Sequence, residues 1–531
     1  MLIDELTKEQ LSKLEDILVF ICSIDKSILI SCLKKKKEKK EKKEQQNDDD
    51  HLSYLQNELK ILTEKLYTVD SDQLDALTSQ MKSLRIKIDK LKSEKKGQSS
   101  DCITRSKVTL RPYQVNAIKF INDPKQKSLL VVHGTGTGKT LTALAASQCY
   151  LDQYPNNKVV VVSPASITHN FEKEMEKYGG KLSKNYSFYS FDKFRAMNKD
   201  GDYDCKNTML VVDEVHNTRN QTAAYDAVYN CAKESHKLLL LSATPFVNRL
   251  ADLKPIIYML YRDDGILLQK DISIPQKFSN AESYHKALRN IFLVLNGKVT
   301  YLNDKKSEDF PQAREHKIEI PMTHDYFRRY KKALEEDKDF GDSPEKFYHG
   351  YRRAVNKVGA SNYVNEKLNS VLDLIKKGNQ TLVFTNWLEA GVEVLERTFR
   401  DNDISYLEIT GSVPSNSRMD IVKKFNEGEV QVLIITMAGS EGLDLKGVRN
   451  IIILDPVWNP ATYEQIIGRG IRYKSHTHLP KNERFVDIYM LILESLSHEV
   501  PSGDEILYKF IEEKKGTLAD VIEILKEASI Y

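Results

Sequence analysis

A glycine-rich loop between a short apolar segment and a helical pattern restricts the fold of this chain more than any other feature. The apolar segment is Leu129 to Val132, and it continues directly into His133-Gly-Thr-Gly-Thr-Gly-Lys-Thr140. Alternating glycines let backbone N–H groups approach the oxygens of an anion, and the N-terminus of the following helix adds a favourable dipole. We therefore predict a phosphate-binding loop at the carboxyl end of a buried strand.

Parts of this loop have separate expected roles if the anion is a nucleoside triphosphate. Lys139 would reach the β- and γ-phosphates, and Thr140 would ligate Mg²⁺. The residues expected to bind ATP are His133, Gly134, Thr135, Gly136, Thr137, Gly138, Lys139 and Thr140. His133 is irregular, because the general pattern has glycine at that position. A purely structural glycine turn is the alternative, but it does not explain the strand before the loop or the helix after it.

An acidic motif follows another buried segment. Met209 to Val212 leads into Asp213-Glu-Val-His216. Both carboxylates would then lie at the carboxyl end of a strand, where ligands of open α/β sheets bind. Asp213 is expected to hold Mg²⁺, and Glu214 to orient or deprotonate an attacking water. Because acidic residues commonly end strands, this motif is strong evidence only together with the upstream loop.

The order of apolar segments predicts an α/β fold with two lobes. The strand signals are Leu129 to Val132, Val159 to Val162, Met209 to Val212, Leu238 to Leu241, Leu382 to Phe384, Val432 to Ile435 and Ile451 to Leu454. Loop or helix signals separate them, which is typical of parallel sheets flanked by helices. We expect a helical extension at 1–100, an ATP-binding lobe at 101–263, a connector at 264–365 and a C-terminal lobe at 366–531.

The first hundred residues have a different character. Residues 1–33 carry apolar residues at helical spacing, and Lys34 to Glu44 is an almost pure Lys/Glu run. That run is best interpreted as a solvated tether, with a nucleic-acid-binding tail as the alternative. Two heptad-spaced apolar series follow, from Leu52 to Leu66 and from Leu74 to Leu91. They predict a helical hairpin; partner docking or dimerisation is the second interpretation.

Composition limits the class of protein. The 531 residues are enough for about three domains, and 40% hydrophobic with 29% charged residues is typical of globular proteins. No apolar run approaches the roughly 18 residues of a membrane span, and the N-terminus lacks a signal-peptide pattern, so we expect an intracellular protein without a membrane partner. The six cysteines lack C-x-x-C spacing and are expected to be reduced thiols. A net charge of +3 neither favours nor excludes nucleic acid.

Further motifs accompany the loop in a fixed order. They are Leu110-Arg-Pro-Tyr-Gln114, Ser163-Pro-Ala-Ser166 with Asn170, Asp213-Glu-Val-His216 and Ser242-Ala-Thr-Pro245. In this order they resemble superfamily 2 helicases, which have tandem RecA-like P-loop lobes, and most closely the Swi/Snf-like branch. The resemblance implies that Gln114 reads the adenine edge, with Tyr113 or Arg111 packed nearby. It also implies that Ser163 to Ser166 grips nucleic-acid phosphates and that Ser242 to Pro245 couples hydrolysis to lobe movement.

The second lobe continues the resemblance. Phe384-Thr-Asn-Trp387 resembles the motif that begins its nucleic-acid surface, and Thr436 with Ser440-Glu-Gly-Leu-Asp444 resembles the segment that contacts strand and nucleotide. Gln465-Ile-Ile-Gly-Arg-Gly-Ile-Arg472 matches the arginine-finger motif. Arg469 and Arg472 are three residues apart, so on one helix they would share a face and point at the γ-phosphate. The expected catalytic residues are Lys139, Asp213, Glu214, Gln465, Arg469 and Arg472, with Asp444 on the nucleotide.

The resemblance implies an ATP-dependent helicase or translocase that uses ATP and Mg²⁺ and moves on nucleic acid. Leu110-Arg-Pro-Tyr-Gln114 and Asp455-Pro-Val-Trp-Asn-Pro460 favour duplex DNA. Many proteins with D-E-x-H motifs act on RNA, so RNA is the alternative track. The competing function is an ATPase subunit of a transcription complex that switches partner contacts without separating strands.

Two further segments narrow the resemblance. Asn296 to Leu302 and Ile471 to His476 are similar to segments of transcription-associated ATPases of large cytoplasmic DNA viruses, of the poxvirus early transcription factor and nucleoside triphosphate phosphohydrolase I type. The alternative is ordinary connector and surface sequence. The similarity implies a role in viral transcription, a location in the viral factory or virion core, and protein partners from the transcription machinery.

Overall fold

The computed structural model divides the chain into two compact units, Met1–Ser99 with Tyr531, and Ser100–Ile530. It describes short helical stretches between residues 54 and 87 in the first unit. In the second unit it describes residues 101–164, 168–179, 183–198, 203–219, 222–244, 249–262, 274–275, 277–302, 309–336, 350, 352–358, 366–375, 378–437, 443–458 and 460–530.

The N-terminal unit shows the predicted apolar stripe at its described positions. Leu55 and Leu84, one from each predicted helix, are buried against each other, with Leu59 and Leu62 packed beside them. Helical residues occur at both places, so helix formation is confirmed there. The predicted helix at 1–33 and the Lys/Glu run lie outside the described residues.

The first sheet of the larger unit contains the predicted buried strands. Its described strands are β1 (Ser128–His133), β2 (Lys158–Ser163), β3 (Tyr186–Ser190), β4 (Thr208–Val212), β5 (Lys237–Ser242) and β6 (Val299–Leu302). They pair in parallel in the order β3-β2-β4-β5-β1-β6. β1 and β4 are buried along their whole length, as expected for strands of a parallel sheet covered by helices. Their carboxyl ends open at the same edge of the sheet.

Helices pack around this sheet. They are α1 (Asp101–Thr104), α2 (Pro112–Asn122), α3 (Lys139–Gln153), α4 (Thr168–Tyr178), α5 (Phe191–Met197), α6 (Ala223–Glu234), α7 (Lys254–Tyr261) and α8 (Ala281–Leu295). α8 shows how the sequence defines such a helix. The Asn280 side chain caps its start by accepting the Ser283 N–H at 2.8 Å, and Ala287, Ile291 and Leu295 form its buried face.

The second sheet is also parallel. Its strands are β7 (Gln312–Pro321), β8 (Thr381–Phe384), β9 (Tyr406–Ile409), β10 (Val432–Ile435), β11 (Asn450–Ile453) and β12 (Phe485–Glu494), in the order β7-β12-β11-β8-β10-β9. The accompanying helices are α9 (His324–Glu336), α10 (Glu366–Ile375), α11 (Glu393–Asp401), α12 (Ser415–Asn426), α13 (Pro460–Gly470) and α14 (Gly503–Ala528). The predicted fold class, α/β with two parallel-sheet lobes, is confirmed. The stretch predicted as a connector supplies an edge strand to each sheet, β6 to the first and β7 to the second.

The last helix, α14, joins the two lobes. Its N-terminus lies in the second lobe, where the Ser502 side chain accepts the Glu505 N–H at 3.0 Å. Its C-terminus lies on the first lobe, where Ser529 Oγ accepts the Tyr301 N–H at 3.1 Å and the Ile530 N–H donates to the Val299 carbonyl at 2.9 Å. Among the helices that the structure describes, α14 included, none is long and apolar enough to cross a membrane.

Four cysteines contradict the prediction of reduced thiols. Cys102 is bonded to Cys149, which ties α1 to α3, and Cys205 is bonded to Cys231, which ties the segment before β4 to α6. All four are buried. The bonded residues are 47 and 26 positions apart, so no local spacing in the sequence could reveal either pair.

Candidate nucleotide site between the two lobes

The glycine loop turns at the carboxyl end of β1, and α3 begins directly after it at Lys139. Gly136 and Gly138 have positive φ angles of 75° and 85°, a conformation that favours glycine. A Cβ on Gly136 would also lie 3.2 Å from the Cα of Arg472, which belongs to the second lobe. Glycine is therefore required here for the turn and for the close approach of the other lobe.

Hydrogen bonds hold the loop in this shape. Thr137 Oγ1 donates to the Gly134 carbonyl at 2.7 Å, and the Tyr113 hydroxyl donates to the Thr137 carbonyl at 2.7 Å. Lys139 Nζ donates to the His133 carbonyl at 3.1 Å. The ammonium group thus lies at the loop itself, where it can meet a bound phosphate.

The irregular residue, His133, is a buried packing residue. Its Nε2 lies 3.0 Å from Thr300 Oγ1 on β6, and its ring meets the Tyr113 ring edge-on with 5.2 Å between centroids. Burial, helped by the charge of Lys139, lowers the pKa of His133 to about 3. The imidazole is therefore neutral, and it occupies the position of a glycine without adding charge to the loop.

Two carboxyl groups from the end of β4 line the same cavity as the loop. Burial and the charge of Glu214 raise the pKa of Asp213 to about 7. Burial also acts to raise the pKa of Glu214, but the charges of Lys139, His216 and Arg469 outweigh it and the pKa of Glu214 is lowered. At neutral pH Glu214 is therefore ionised, whereas the carboxyl of Asp213 is present in both its neutral and its ionised form.

His216 connects the two lobes through its ring nitrogens. Nδ1 lies 3.2 Å from Ser242 Oγ at the end of β5 and 3.4 Å from Glu214 Oε2. Nε2 lies 3.4 Å from Nε2 of Gln465 on α13. His216 thus links Glu214 to the carboxyl end of β5 and to the middle of α13.

The two predicted arginines both line the cavity, but they do not share a helical face. α13 ends at Gly470, so Arg469 lies on the helix and Arg472 lies beyond its end. The prediction of one helical face is therefore wrong. The helix ends before Arg472 because Gly470 disfavours its continuation, and Gly470 packs closely against Val448 and Ile451.

Contacts within the second lobe position Arg472 at the loop. Its Nε donates to the Gly468 carbonyl at 3.0 Å, and its Nη1 lies 3.5 Å from Asp444 Oδ1. A Cβ on Gly468 would collide with the Thr135 side chain, so this glycine allows α13 to approach the phosphate-binding loop. Arg472 is thereby held against the loop by the packing of one lobe on the other.

A cluster beside the loop pairs Arg111, which the resemblance placed near the adenine, with Tyr473, whose role was not anticipated from the sequence. The Arg111 guanidinium lies 4.2 Å from the centroid of the Tyr473 ring, and its Nη2 lies 3.2 Å from Asp309 Oδ2. Gln114, predicted to read adenine, accepts the Arg111 N–H at 2.8 Å and donates to the Gly138 carbonyl at 3.3 Å. Arg111 and Tyr473 thus add a stacking surface to the site. The sequence signals for Tyr473 are its position directly after Arg472 and its place in the segment 471–476.

The cavity between the lobes has a volume of about 690 Å³. The predicted site residues that line it are Gln114, Thr135, Gly136, Thr137, Gly138, Lys139, Thr140, Asp213, Glu214, Asp444, Gln465, Arg469 and Arg472. His133 and Gly134 lie behind this surface and support the loop from within. The volume lies in the range of small-molecule sites and suits a nucleotide.

Several residues predicted to contact nucleic acid, or to couple hydrolysis to lobe movement, lie outside the described residues. They are Ser166, Pro245, the segment 440–442 and the side chain of Asn170. Ser163 and Thr436 are described, and both are buried. Ser163 Oγ donates to the Pro164 carbonyl at 3.4 Å, so its hydroxyl is engaged within the first lobe.

The residues present fit a magnesium ion. Thr140 and Asp213 offer hydroxyl and carboxylate oxygens, the donor type that Mg²⁺ prefers. The pKa of Asp213, raised to about 7, identifies a buried carboxyl that a nearby cation would keep ionised. Within the described ranges, no group of three or more His, Cys, Asp or Glu side chains could hold a metal ion.

Known protein families match the chain in the order of its motifs. Residues 107–247 match the family described as type III restriction enzyme, res subunit. Residues 188–383 match the SNF2-related domain, and residues 365–474 match the helicase conserved C-terminal domain. The matches span both lobes and the stretch between them.

Viral relatives cover most of the chain. L538 of Acanthamoeba polyphaga mimivirus, named provisionally as an ATP-dependent RNA helicase, is 28% identical over 446 residues, which are 80% of this chain and 98% of the relative. Nucleoside triphosphatase I of Choristoneura biennis entomopoxvirus is 25% identical over 525 residues, covering 81% of this chain and 80% of the relative. The solved Sulfolobus solfataricus SWI2/SNF2 ATPase core in complex with dsDNA is 18% identical, with a TM-score of 0.36, covering 80% of this chain and 95% of that chain.

These matches agree with the ordered motifs and with the two parallel-sheet lobes that enclose the phosphate-binding loop. They also agree with ATP binding and hydrolysis as the chemistry of the family. The family models and the viral relatives together support the resemblance of this chain to superfamily 2 of the helicases, in its Swi/Snf-like branch.

Proposed function

We propose that this chain is an ATP-dependent nucleic-acid translocase whose active site is complete only when the two lobes meet. The observation that carries the proposal is the position of Arg472, which belongs to the second lobe but lies against Gly136 of the phosphate-binding loop. An arginine supplied to the γ-phosphate in this way contributes about 10³ to 10⁵ in rate in other NTPases. Hydrolysis would therefore require closure, and loss of the γ-phosphate would release it.

The first lobe binds the nucleotide and activates water in this mechanism. Backbone N–H groups of the loop Gly134 to Thr140 and the N-terminus of α3 hold the phosphates, and Lys139 neutralises charge on the β- and γ-phosphates. Glu214, ionised at neutral pH because its pKa is lowered, orients the attacking water and accepts its proton. Thr140 and Asp213 would hold Mg²⁺, which would supply positive charge against the negative charge that develops on the phosphate.

The second lobe senses the γ-phosphate. Arg469 and Arg472 approach the γ-phosphate. Arginine suits this role because its planar, permanently charged guanidinium forms bidentate hydrogen bonds with phosphate oxygens. Asp444 forms an ion pair with Arg472, with 3.5 Å between Asp444 Oδ1 and Arg472 Nη1. His216 lies between Glu214 and Gln465 of α13 and contacts both. A change in the charge of Glu214 would therefore affect the position of α13. Alternate opening and closing of the lobes would then step the protein along a strand.

DNA is the proposed track. The two Swi/Snf-like segments at 110–114 and 455–460 support it. RNA is the second candidate, and the name of the mimivirus relative L538, an RNA helicase, favours it. In both cases we expect contacts to the phosphate backbone that depend on salt and little on sequence.

A viral transcription role is part of the proposal. The viral origin of the relatives supports it, and so do the segments 296–302 and 471–476 that resemble transcription-associated ATPases. The protein would then act in the viral factory or virion core, with partners from the transcription machinery docking on the helical unit at 1–100. In the alternative function, ATP turnover only switches these partner contacts and separates no strands.

One comparison tests the motor and its track. Steady-state ATP hydrolysis is measured with double-stranded DNA, single-stranded DNA and RNA of the same sequence. DNA is expected to raise the rate, and RNA is expected to raise it less. Stimulation by RNA alone would contradict the DNA track, and stimulation only by a protein partner would support the switch instead of the motor.

A further inference from the structure

Both tryptophans of this chain lie at one place in the second lobe. Trp387 follows β8 and Trp458 follows β11, and these strands are parallel neighbours in the sheet. The carboxyl ends of parallel neighbours open at the same edge of a sheet. The loops that carry the two indole rings therefore lie side by side.

One arginine packs against both rings. The Arg352 guanidinium lies 4.9 Å from the Trp387 ring centroid and 5.1 Å from the Trp458 ring centroid. Burial lowers the pKa of Arg352, and the charges of Asp455 and Asp504 oppose that shift. Because Arg352 is itself buried, its effect is to fix the orientation of the rings.

A buried polar network lies behind the two loops. Asp455 accepts hydrogen bonds from Thr385 Oγ1 at 2.7 Å, from the Asn386 N–H at 2.9 Å and from Asn356 Nδ2 at 3.1 Å. The buried Lys367 donates to Asn356 Oδ1 at 3.1 Å. Breaking these hydrogen bonds would leave buried polar groups without partners, which is costly. The loop that carries Trp387 is therefore held in one conformation.

The solvent side of this rigid loop combines a ring with positive charge. Trp387 is only partly buried, and the exposed Arg353 lies 5.3 Å from its ring centroid. Leu388, 58% exposed, has the highest exposure of any large hydrophobic side chain described in residues 101–530. Lys357 adds a second cation, paired at 3.5 Å with the exposed Glu389. Aromatic rings beside cations are how single-stranded nucleic acid is commonly bound, with bases on the rings and phosphates on the cations.

We propose that Trp387 is a stacking site for one unpaired nucleobase and that Arg353 binds the adjacent phosphate. The proposal rests on the proposed nucleic-acid function and makes it more specific, because a fully paired duplex has no free base face to offer. The exposed Arg353 is the group that can leave the ring when a base arrives. The buried Arg352 is a positioning residue that stays and keeps the ring in place.

Tryptophan fluorescence, excited selectively over that of the tyrosines, reports on this site alone, because both tryptophans of the chain are there. In the Trp458→Phe protein only Trp387 emits, and in the Trp387→Phe protein only Trp458 emits. Single-stranded oligo(dT) is expected to quench the first protein strongly and the second hardly at all, and a blunt duplex is expected to quench both weakly. Equal quenching of both proteins, or equal quenching by the duplex, would overturn the stacking site.

Salt dependence tests the phosphate contact. Arg353→Ala is expected to weaken oligo(dT) binding and to reduce the slope of log affinity against log salt by about 0.7, the value for one phosphate contact on a single strand. Arg400→Ala is the matched control, an exposed arginine at the end of α11 on the opposite edge of the same sheet. An unchanged slope in Arg353→Ala, or the same loss in both variants, would contradict the contact.

The proposed motor can fail separately from this site. If oligo(dT) quenches Trp387 but no polynucleotide stimulates ATP hydrolysis, the stacking site is supported and the motor is contradicted. If oligo(dT) stimulates hydrolysis without quenching Trp387, the motor is supported and the stacking site is contradicted.

Discussion

The protonation of Asp213 links the nucleotide site to pH. Burial and the charge of Glu214 raise the pKa of Asp213 to about 7, whereas an ordinary aspartate has a pKa of about 3.9. Below pH 7 the carboxyl is therefore mainly neutral and binds a cation poorly. In the metal-free protein, ionisation of the buried Asp213 carboxyl lowers the free energy of unfolding. This loss of stability is absent at acid pH and fully present above the pKa of Asp213 in the folded state.

This linkage predicts an acid limit of ATP hydrolysis that depends on Mg²⁺. Because Mg²⁺ would bind the ionised form of Asp213, each tenfold rise in free Mg²⁺ well above its dissociation constant for that form should move the acid limb of the rate profile down by about one pH unit. Initial rates at saturating ATP, measured across the neutral range at two free Mg²⁺ concentrations, check the shift. An acid limb at the same pH in both series would contradict it.

Single residues of the site differ in how far the sequence reveals them. Lys139 and Asp213 follow strand signals within a few positions, so their location at the sheet edge follows from local patterns. Arg111 and Tyr473 form a pair only because two lobes meet, and no spacing in the sequence encodes that contact. In the sequence His133 was only an irregular residue of the loop, and its role as a buried packing residue follows from its contact with Thr300.

Among the elements, α10 and α14 are joined by a buried ion pair. Lys367 Nζ lies 2.6 Å from Asp504 Oδ2, and both side chains are almost completely buried. Burial raises the pKa of Asp504 to about 6, and Lys367 acts in the opposite direction. Asp504 also accepts the Leu493 N–H at 2.9 Å, which connects the start of α14 to β12.

Breaking this pair should destabilise the second lobe strongly. Lys367→Met leaves a buried carboxylate without its cation, a change that costs about 3 to 5 kcal/mol. The loss should be smaller at acid pH, because the unpaired Asp504 can then take up a proton. Urea unfolding at alkaline and acid pH measures both effects.

Two variants serve as controls for that prediction. Lys423→Met on α12 replaces a lysine that is 71% exposed and should change the unfolding free energy by about 0.5 kcal/mol at most. Lys367→Met combined with Asp504→Leu should recover part of the loss, since neither buried charge remains. A double variant as unstable as Lys367→Met alone would show that the ion pair is not the cause.

Helices and strands can be predicted where the apolar pattern of the sequence is strong. They cannot be predicted where residues distant in the sequence determine their ends or their contacts. The strands β1, β4 and β10 occur where apolar runs predicted them. The end of α13 was misjudged because local spacing suggested a continuous helix through Gly470. The disulfides joining α1 to α3 and the segment before β4 to α6 depend on tertiary proximity, which the sequence pattern does not contain.

At the scale of the whole molecule, several sets of contacts join the lobes. Arg472 lies against the phosphate-binding loop, Gln465 meets His216, and α14 runs from one lobe to the other. The Tyr284 hydroxyl on α8 donates to Asp520 of α14 at 2.7 Å, which adds a side-chain contact to this bridge. Two lobes follow from the strand pattern, but the path of α14 across both was not evident from it.

Closure-gated hydrolysis is tested most directly by Arg472→Ala, studied beside Arg472→Lys. ATP affinity and polynucleotide-stimulated hydrolysis are measured on the same preparations. Arg472→Ala should bind ATP nearly as tightly as the natural protein and lose stimulated hydrolysis by about 10³-fold or more, while Arg472→Lys, which keeps the charge without the fork, should lose less. Loss of ATP binding in Arg472→Ala, or unchanged stimulated hydrolysis, would contradict the assignment of Arg472 to the γ-phosphate.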